Sequence, residues 1–130
     1  MFNELIIKEG SVRQIIDEGG EPSGFLFDTY IAYYRGLGLS MVETPEIYVD
    51  GELISAKRLR FRYAGITRTF AELADVTDVR WELGTPAQIL VDLPGGLSTG
   101  DHEISVNQRL RVSYLPIMSE NRFTRQVTID

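Results

Sequence analysis

The stretch Glu103-Ile104-Ser105-Val106-Asn107-Gln108-Arg109-Leu110-Arg111-Val112-Ser113-Tyr114 decides the fold class. Ile104, Val106, Leu110, Val112 and Tyr114 share one face, and Glu103, Ser105, Asn107, Arg109, Arg111 and Ser113 share the other. This alternation is the period of a half-buried strand, because successive side chains leave opposite sides of a pleated backbone. Gln108 alone interrupts the apolar face. A strand this long, apolar on one side, needs a second layer to cover it.

The same period recurs upstream. Leu59, Phe61 and Tyr63 alternate with Arg58, Arg60 and Arg62, and Ile89, Val91 and Leu93 with Gln88, Leu90 and Asp92. Gly24 to Arg35 is rich in aromatic and β-branched residues and favours strand by propensity. Leu5-Ile6-Ile7 and Val12 to Ile16 are short strand candidates around Gly10, and Arg80-Trp81-Glu82-Leu83 is another. Asp50-Gly51 lies between Glu46-Ile47-Tyr48-Val49 and Glu52-Leu53-Ile54. That pair predicts a two-residue type I′ hairpin, whose central residues both need positive φ. Asp17 to Gly24 reads as a loop, and Pro94-Gly95-Gly96 to Gly100 as the turn before the long strand. Thr69-Phe70-Ala71-Glu72 has capping-box spacing and predicts one short turn of helix. Glu120 to Asp130 carries alternating Phe123, Arg125, Val127 and Ile129, as a final edge strand or an arm that docks on a partner.

Many short strands with turn signals between them predict an all-β fold, an antiparallel β-sandwich of immunoglobulin-like or jelly-roll-like type with one short helical turn. The 130 residues suit a single domain over residues 1–130. Hydrophobic residues make up 43% and charged ones 25%, which excludes a disordered chain. The chain has no cysteine, which rules out disulfides, thiolate metal sites and cysteine nucleophiles. Met1-Phe2-Asn3-Glu4 has no basic n-region and no apolar core follows, so no secretory signal, no membrane span and a cytoplasmic location are expected. A formal net charge of -6 argues against nucleic-acid binding. Eleven of the thirteen basic residues are Arg, which suits paired carboxylates on strand faces or at an interface.

Catalytic chemistry finds little to work with. His102 is the one histidine, and alternation points it away from its neighbours Asp101 and Glu103. Three consecutive strand residues do not converge on one ion, so His102 reads as a surface imidazole at a strand end rather than a metal ligand or base. There is no Gly-x-Ser-x-Gly elbow, and Pro94-Gly95-Gly96 lacks the lysine and helix of a phosphate loop. No catalytic residue and no metal ligand is assigned on this chain.

The aromatics and one loop are the remaining candidates. Trp81 is a candidate stacking residue for a sugar or aromatic ligand, against the plain reading that it fills the core. Tyr33-Tyr34 leads into Arg35-Gly36-Leu37-Gly38-Leu39-Ser40-Met41. Consecutive strand tyrosines face opposite ways, so one of them lies outside the core. Exposed leucines here would be wasteful in a free monomer. Tyr34, Arg35, Leu37, Leu39 and Met41 are therefore candidate partner-contact or pocket-rim residues. The competing reading is a loop that folds its leucines onto the end of its own core.

At this loop the sequence resembles the small β subunit of bacterial C-glycoside deglycosidases. Tyr33-Tyr34-Arg35-Gly36-Leu37 and Leu39-Ser40-Met41 carry the likeness. Val49-Asp50-Gly51-Glu52, Thr69-Phe70-Ala71-Glu72-Leu73 and Arg80-Trp81-Glu82-Leu83-Gly84 follow in order, then Pro94-Gly95-Gly96-Leu97, Gly100-Asp101-His102-Glu103 and Leu110-Arg111-Val112-Ser113-Tyr114-Leu115-Pro116. The blocks span roughly residues 24 to 116, and the ordered set is more specific than any one block.

The resemblance implies a β-sandwich that accompanies a larger α subunit, a TIM-type barrel holding a divalent metal, commonly manganese. It implies cleavage of the carbon–carbon bond between a 3-oxo-sugar and an aromatic aglycone of flavonoid type. A 3-oxo group acidifies the proton on C2, and a base with a carbonyl-polarising metal can remove it. The implied metal and base belong to the partner, with no cofactor on this chain. Two rival readings are a free-standing carbohydrate- or phenol-binding module and an unassisted enzyme using His102.

Overall fold

The computed structural model of the chain describes residues 3–112 and 118–130. Among these, the strands in chain order are β1 (Arg13–Ile16), β2 (Pro22–Thr29), β3 (Leu37–Gly38), β4 (Val42–Val49), β5 (Glu52–Leu53), β6 (Leu59–Tyr63), β7 (Ile66–Thr69), β8 (Arg80–Trp81), β9 (Ala87–Asp92), β10 (Gly100–Leu110) and β11 (Ser119–Ile129). A one-turn helix, α1, spans Phe70–Leu73, and short 3-10 turns sit at Asn3–Leu5, Leu39–Met41 and Ala56–Arg58. The fold is an antiparallel β-sandwich. One sheet runs β1-β2-β9-β6-β7, the other β11-β10-β4-β5, and β3 and β8 form a small third pair.

The long strand is the backbone of the second sheet. β10 pairs with β11 without a slip, from Gly100 opposite Ile129 to Leu110 opposite Ser119. Ile104, Val106 and Leu110 are buried, as alternation requires. Regular structure ends at Leu110 rather than Tyr114. Val112 is still buried, and Ser113 and Tyr114 lie outside the described residues. On its other side β10 pairs with β4 through a bulge, because Asn107 opposes Glu46 but Arg109 opposes Glu43. The extra residue falls at Thr44-Pro45, where a proline can sit without breaking a ladder. Asn107 was read as solvent-facing but is covered: its amide donates to Glu46 (3.0 Å) and Glu120 (2.8 Å).

Local chemistry sets the connections. Asp50 and Gly51 have φ of 52° and 85°, as a type I′ turn needs. Ala64-Gly65 makes a second such turn, with Ala64 at φ 52°; alanine carries no turn signal, so the sequence hid this one. Thr69 caps α1, accepting from the Glu72 amide while Glu72 accepts from the Thr69 amide. Leu5-Ile6-Ile7 is not a strand: it leaves the first 3-10 turn with Ile6 and Ile7 fully buried.

Phe25, Phe27, Phe61, Trp81, Ile47 and Ile104 fill the space between the sheets. Each such side chain contributes about 1.5–3 kcal/mol by leaving water. No helix among the described residues is long and apolar enough to cross a membrane.

Candidate functional site

The segment after β2 is where the chain departs most from its propensity. Aromatic and β-branched residues run on to Tyr34, yet the strand stops at Thr29 instead of continuing to Arg35. The cause lies on the opposite sheet. Gln108 of β10 and Asn121 of β11 are cross-strand partners. The Gln108 carbonyl oxygen accepts from the Ala32 amide at 2.7 Å, and its Nε2 donates to the Tyr30 carbonyl at 3.0 Å. Asn121 Nδ2 donates to the Ala32 carbonyl at 3.2 Å. Backbone groups without a sheet partner are thus satisfied by two side chains, at a buried Ala32. The residue that spoils the apolar alternation of β10 holds this loop in place.

The loop then turns against β8. A Cβ on Gly36 would lie 2.6 Å from the Trp81 carbonyl oxygen, so only glycine fits there. Arg80 donates to the Gly36 carbonyl at 2.7 Å, and Leu37 pairs with Trp81. This geometry corrects the exposure expected of the loop. Leu37 is 7% exposed, Leu39 is fully buried, and Met41 packs half-buried against the core. The leucines close the end of their own sandwich and leave no apolar rim. Tyr34 and Arg35 do stay outside. Tyr34 is 58% exposed, its ring 4.4 Å from that of Tyr33 and 5.7 Å from the Arg35 guanidinium carbon. Leu83, 48% exposed, lies across from Gly36 on the neighbouring chain segment. The sequence carries the strand through Leu83, whereas it ends at Trp81. The turn from Glu82 to Thr85, with Gly84 at φ 83°, re-aims it, and the nearby Gly84-Thr85-Pro86 was the signal available.

Trp81 is corrected as a stacking residue. It is 1% exposed, meets Phe61 edge-on at 5.3 Å, and donates Nε1–H to the Thr85 carbonyl at 2.8 Å. Its faces belong to the core. The hollow it lines with Thr29 and Phe61 holds about 10 Å³, room for one water and not for a sugar ring.

His102 is not a surface imidazole. Its side chain is 10% exposed, with Nδ1 at 2.7 Å from Asp50 Oδ2 and Nε2 at 2.7 Å from the Ser98 carbonyl. Both partners are acceptors, an arrangement that favours the ring protonated on both nitrogens. The Asp50 hydrogen bond, then the Ser98 carbonyl, raise its pKa above the usual imidazole value. Asp50 is pushed below the usual carboxylate range by the Glu103 amide first and by His102 second. The arrangement ties the β4–β5 hairpin to the turn entering β10. Both ring nitrogens are engaged by these partners rather than turned towards an open site. Among the described residues no three His, Asp or Glu side chains come together as a metal site would require.

A family model described as C-glycoside deglycosidase beta subunit matches residues 2–114. A C-glycoside deglycosidase beta subunit of Eubacterium cellulosolvens is 31% identical over 115 residues, covering 88% of this chain and 78% of the relative. A 3'-dehydrocarminate deglycosidase beta subunit of a Microbacterium species is 35% identical over 118 residues, covering 90% of this chain and 83% of the relative. The chain belongs to the C-glycoside deglycosidase beta subunit family.

Proposed function

We propose that this chain is the non-catalytic subunit of a cytoplasmic lyase complex that breaks the carbon–carbon bond between a 3-oxo-sugar and an aromatic aglycone. The base and a divalent metal, manganese in the resemblance, belong to a barrel-type α subunit. The observation that carries the reading is the state of His102. The one imidazole of the chain is held by Asp50 and Ser98 with both nitrogens occupied. Removing a proton beside a 3-oxo group needs a free base within reach of it. The name of the Microbacterium relative, which acts on a 3'-dehydro compound, supports a 3-oxo-sugar as the substrate class.

The chain's contribution is then binding and support. Tyr34, Arg35 and Leu83 form the contact with the α subunit, an exposed aromatic and a guanidinium beside an exposed leucine. Tyrosine and arginine are the residue types that dominate such contacts. The bonds from Gln108 and Asn121 and the close approach at Gly36 hold the loop behind these residues, which lowers the ordering cost of docking.

The test is reconstitution. Each subunit alone and the mixture are assayed on a 3-oxo-C-glycoside, with the α subunit's solubility followed in parallel. Activity is expected only from the mixture, and Tyr34→Ala with Leu83→Ser is expected to weaken assembly without unfolding the chain. Full activity and solubility of the α subunit alone would refute the subunit role. Unchanged assembly by the double variant would refute the contact.

A further inference from the structure

The edges of the two sheets are not alike. β5 is two residues long, and β1 and β7 are four each, with an irregularity in β1's pairing. Short or bulged edges are how β-proteins avoid pairing with one another. β11 is different. It runs for eleven residues with no bulge, no proline and no lysine.

Its unpaired side can be worked out from the ladder. The Asp50 amide donates to the Glu103 carbonyl, so the backbone groups of Glu103 face β4 and those of Ile104 face β11. Ile104 opposes Arg125, so Arg125 faces inward along the sheet. The amides and carbonyls of Thr124, Gln126 and Thr128 therefore point away from the sheet. No backbone hydrogen bond reaches them among the described residues. Asn3 reaches the Arg122 carbonyl at 3.3 Å, so the open run begins after Arg122.

The side chains match the same idea. The outer face of β11 is fully polar: Glu120, Arg122, Thr124, Gln126 and Thr128. Its inner face carries Phe123, Val127 and Ile129, packed against the margin of the core but only half-buried. Grooves of about 600 and 230 Å³ flank Arg125 on that side, where the sandwich stays open towards Leu5 and Val12.

We propose that β11 pairs antiparallel with β11 of a second copy of this chain, joining two four-stranded sheets into one of eight. Charge selects both the partner and the register. The chain as a whole carries -6, yet Ser119 to Asp130 holds two arginines against one glutamate and one aspartate and is neutral. With Gln126 opposite its own copy, Thr124 faces Thr128 and Arg122 faces Asp130 at both ends. On the inner face Phe123 then meets Ile129 and Arg125 meets Val127. Centring the pair on Arg125 instead would set arginine against arginine and Glu120 against Asp130. The inference goes beyond the subunit reading and uses a different element, β11, from the Tyr34 and Leu83 surface.

The chain has no cysteine, so single cysteines report the register directly. In the full chain, Gln126→Cys is expected to form a disulfide dimer under mild oxidation, because hydrogen-bonded antiparallel partners sit at disulfide range. Thr67→Cys, on the β7 edge, is expected to form no disulfide dimer under the same conditions. Light scattering should give twice 14.7 kDa for the unmodified chain and one copy for Thr124→Lys with Thr128→Lys, which places like charges opposite each other. A monomer at all accessible concentrations, or equal cross-linking at positions 126 and 67, would overturn the proposal. So would a folded double-lysine variant that stays dimeric. Loss of α-subunit binding by that variant, with the unmodified chain monomeric, would assign the edge to the α subunit and also overturn it. Circular dichroism of each variant identifies misfolding, and the reduced Gln126→Cys chain tests the register without any added charge.

Discussion

Replacing Gln108 by leucine would restore perfect alternation to β10, and it should destabilise the protein. Gln108 is 6% exposed and holds the Ala32 amide and the Tyr30 carbonyl. Leucine satisfies neither. Stranding the buried Ala32 amide costs about 1–3 kcal/mol, and loss of the less buried Tyr30 bond a further ~0.5–1.5 kcal/mol. Burial of the added apolar surface returns about 1–2 kcal/mol. At mid-range the net loss is about 1.5 kcal/mol. For 130 residues the melting entropy is about 0.27 kcal/mol/K, so the melting temperature should fall by about 5–6 °C. Thermal unfolding by circular dichroism measures this. Amide exchange adds a local readout, because Ala32 should lose protection while the partners of β10 in β4 keep theirs. An equal or higher melting temperature, with Ala32 still protected, would refute the argument that a side-chain pair holds this loop.

The clamp at His102 predicts a pH dependence with a definite sign. Its folded pKa is raised, so its stabilisation is complete below the unfolded value of about 6.5 and is lost as pH rises through the folded value. No other side chain here ordinarily titrates between about pH 5 and 8, so the unmodified chain should lose melting temperature on going alkaline and His102→Ala should not. Asp50 acts at the other end, its stabilisation fading as pH falls below the ordinary carboxylate range. Parallel pH–melting curves for the two chains would contradict the clamp. Trp81→Ala should cost about 3–5 kcal/mol as a core truncation. Trp81→Phe should cost about 1 kcal/mol through the lost bond to Thr85. The single tryptophan of the unmodified chain should resist quenching in solution; ready quenching by acrylamide would contradict its burial.

Much of the fold was legible because its signals are local. Alternation over Glu103 to Leu110 names a strand and its buried face whatever surrounds it. Asp50-Gly51 names a turn because few other residues accept positive φ, and Thr69 with Glu72 names a helix start because the two side chains satisfy the first amides themselves. The ordered blocks from Tyr33 to Pro116 pointed to the family.

What the tertiary structure decided concerns groups brought together from distant parts of the chain. Propensity alone carries a strand through Tyr34. Gln108 and Asn121, 76 and 89 residues away from Ala32, end it at Thr29 by offering its backbone other partners. For Leu37 and Leu39 the sequence left two readings, a partner contact or a loop folded onto its own core, and they are core because Gly36 lets the loop lie against Trp81. His102 reads as a strand-end imidazole until Asp50 and Ser98 close on it. The edge at β11 belongs here too: whether a strand is internal or exposed depends on which strands pair. The strand order of a sheet is set by long-range burial, which the period of one segment does not encode.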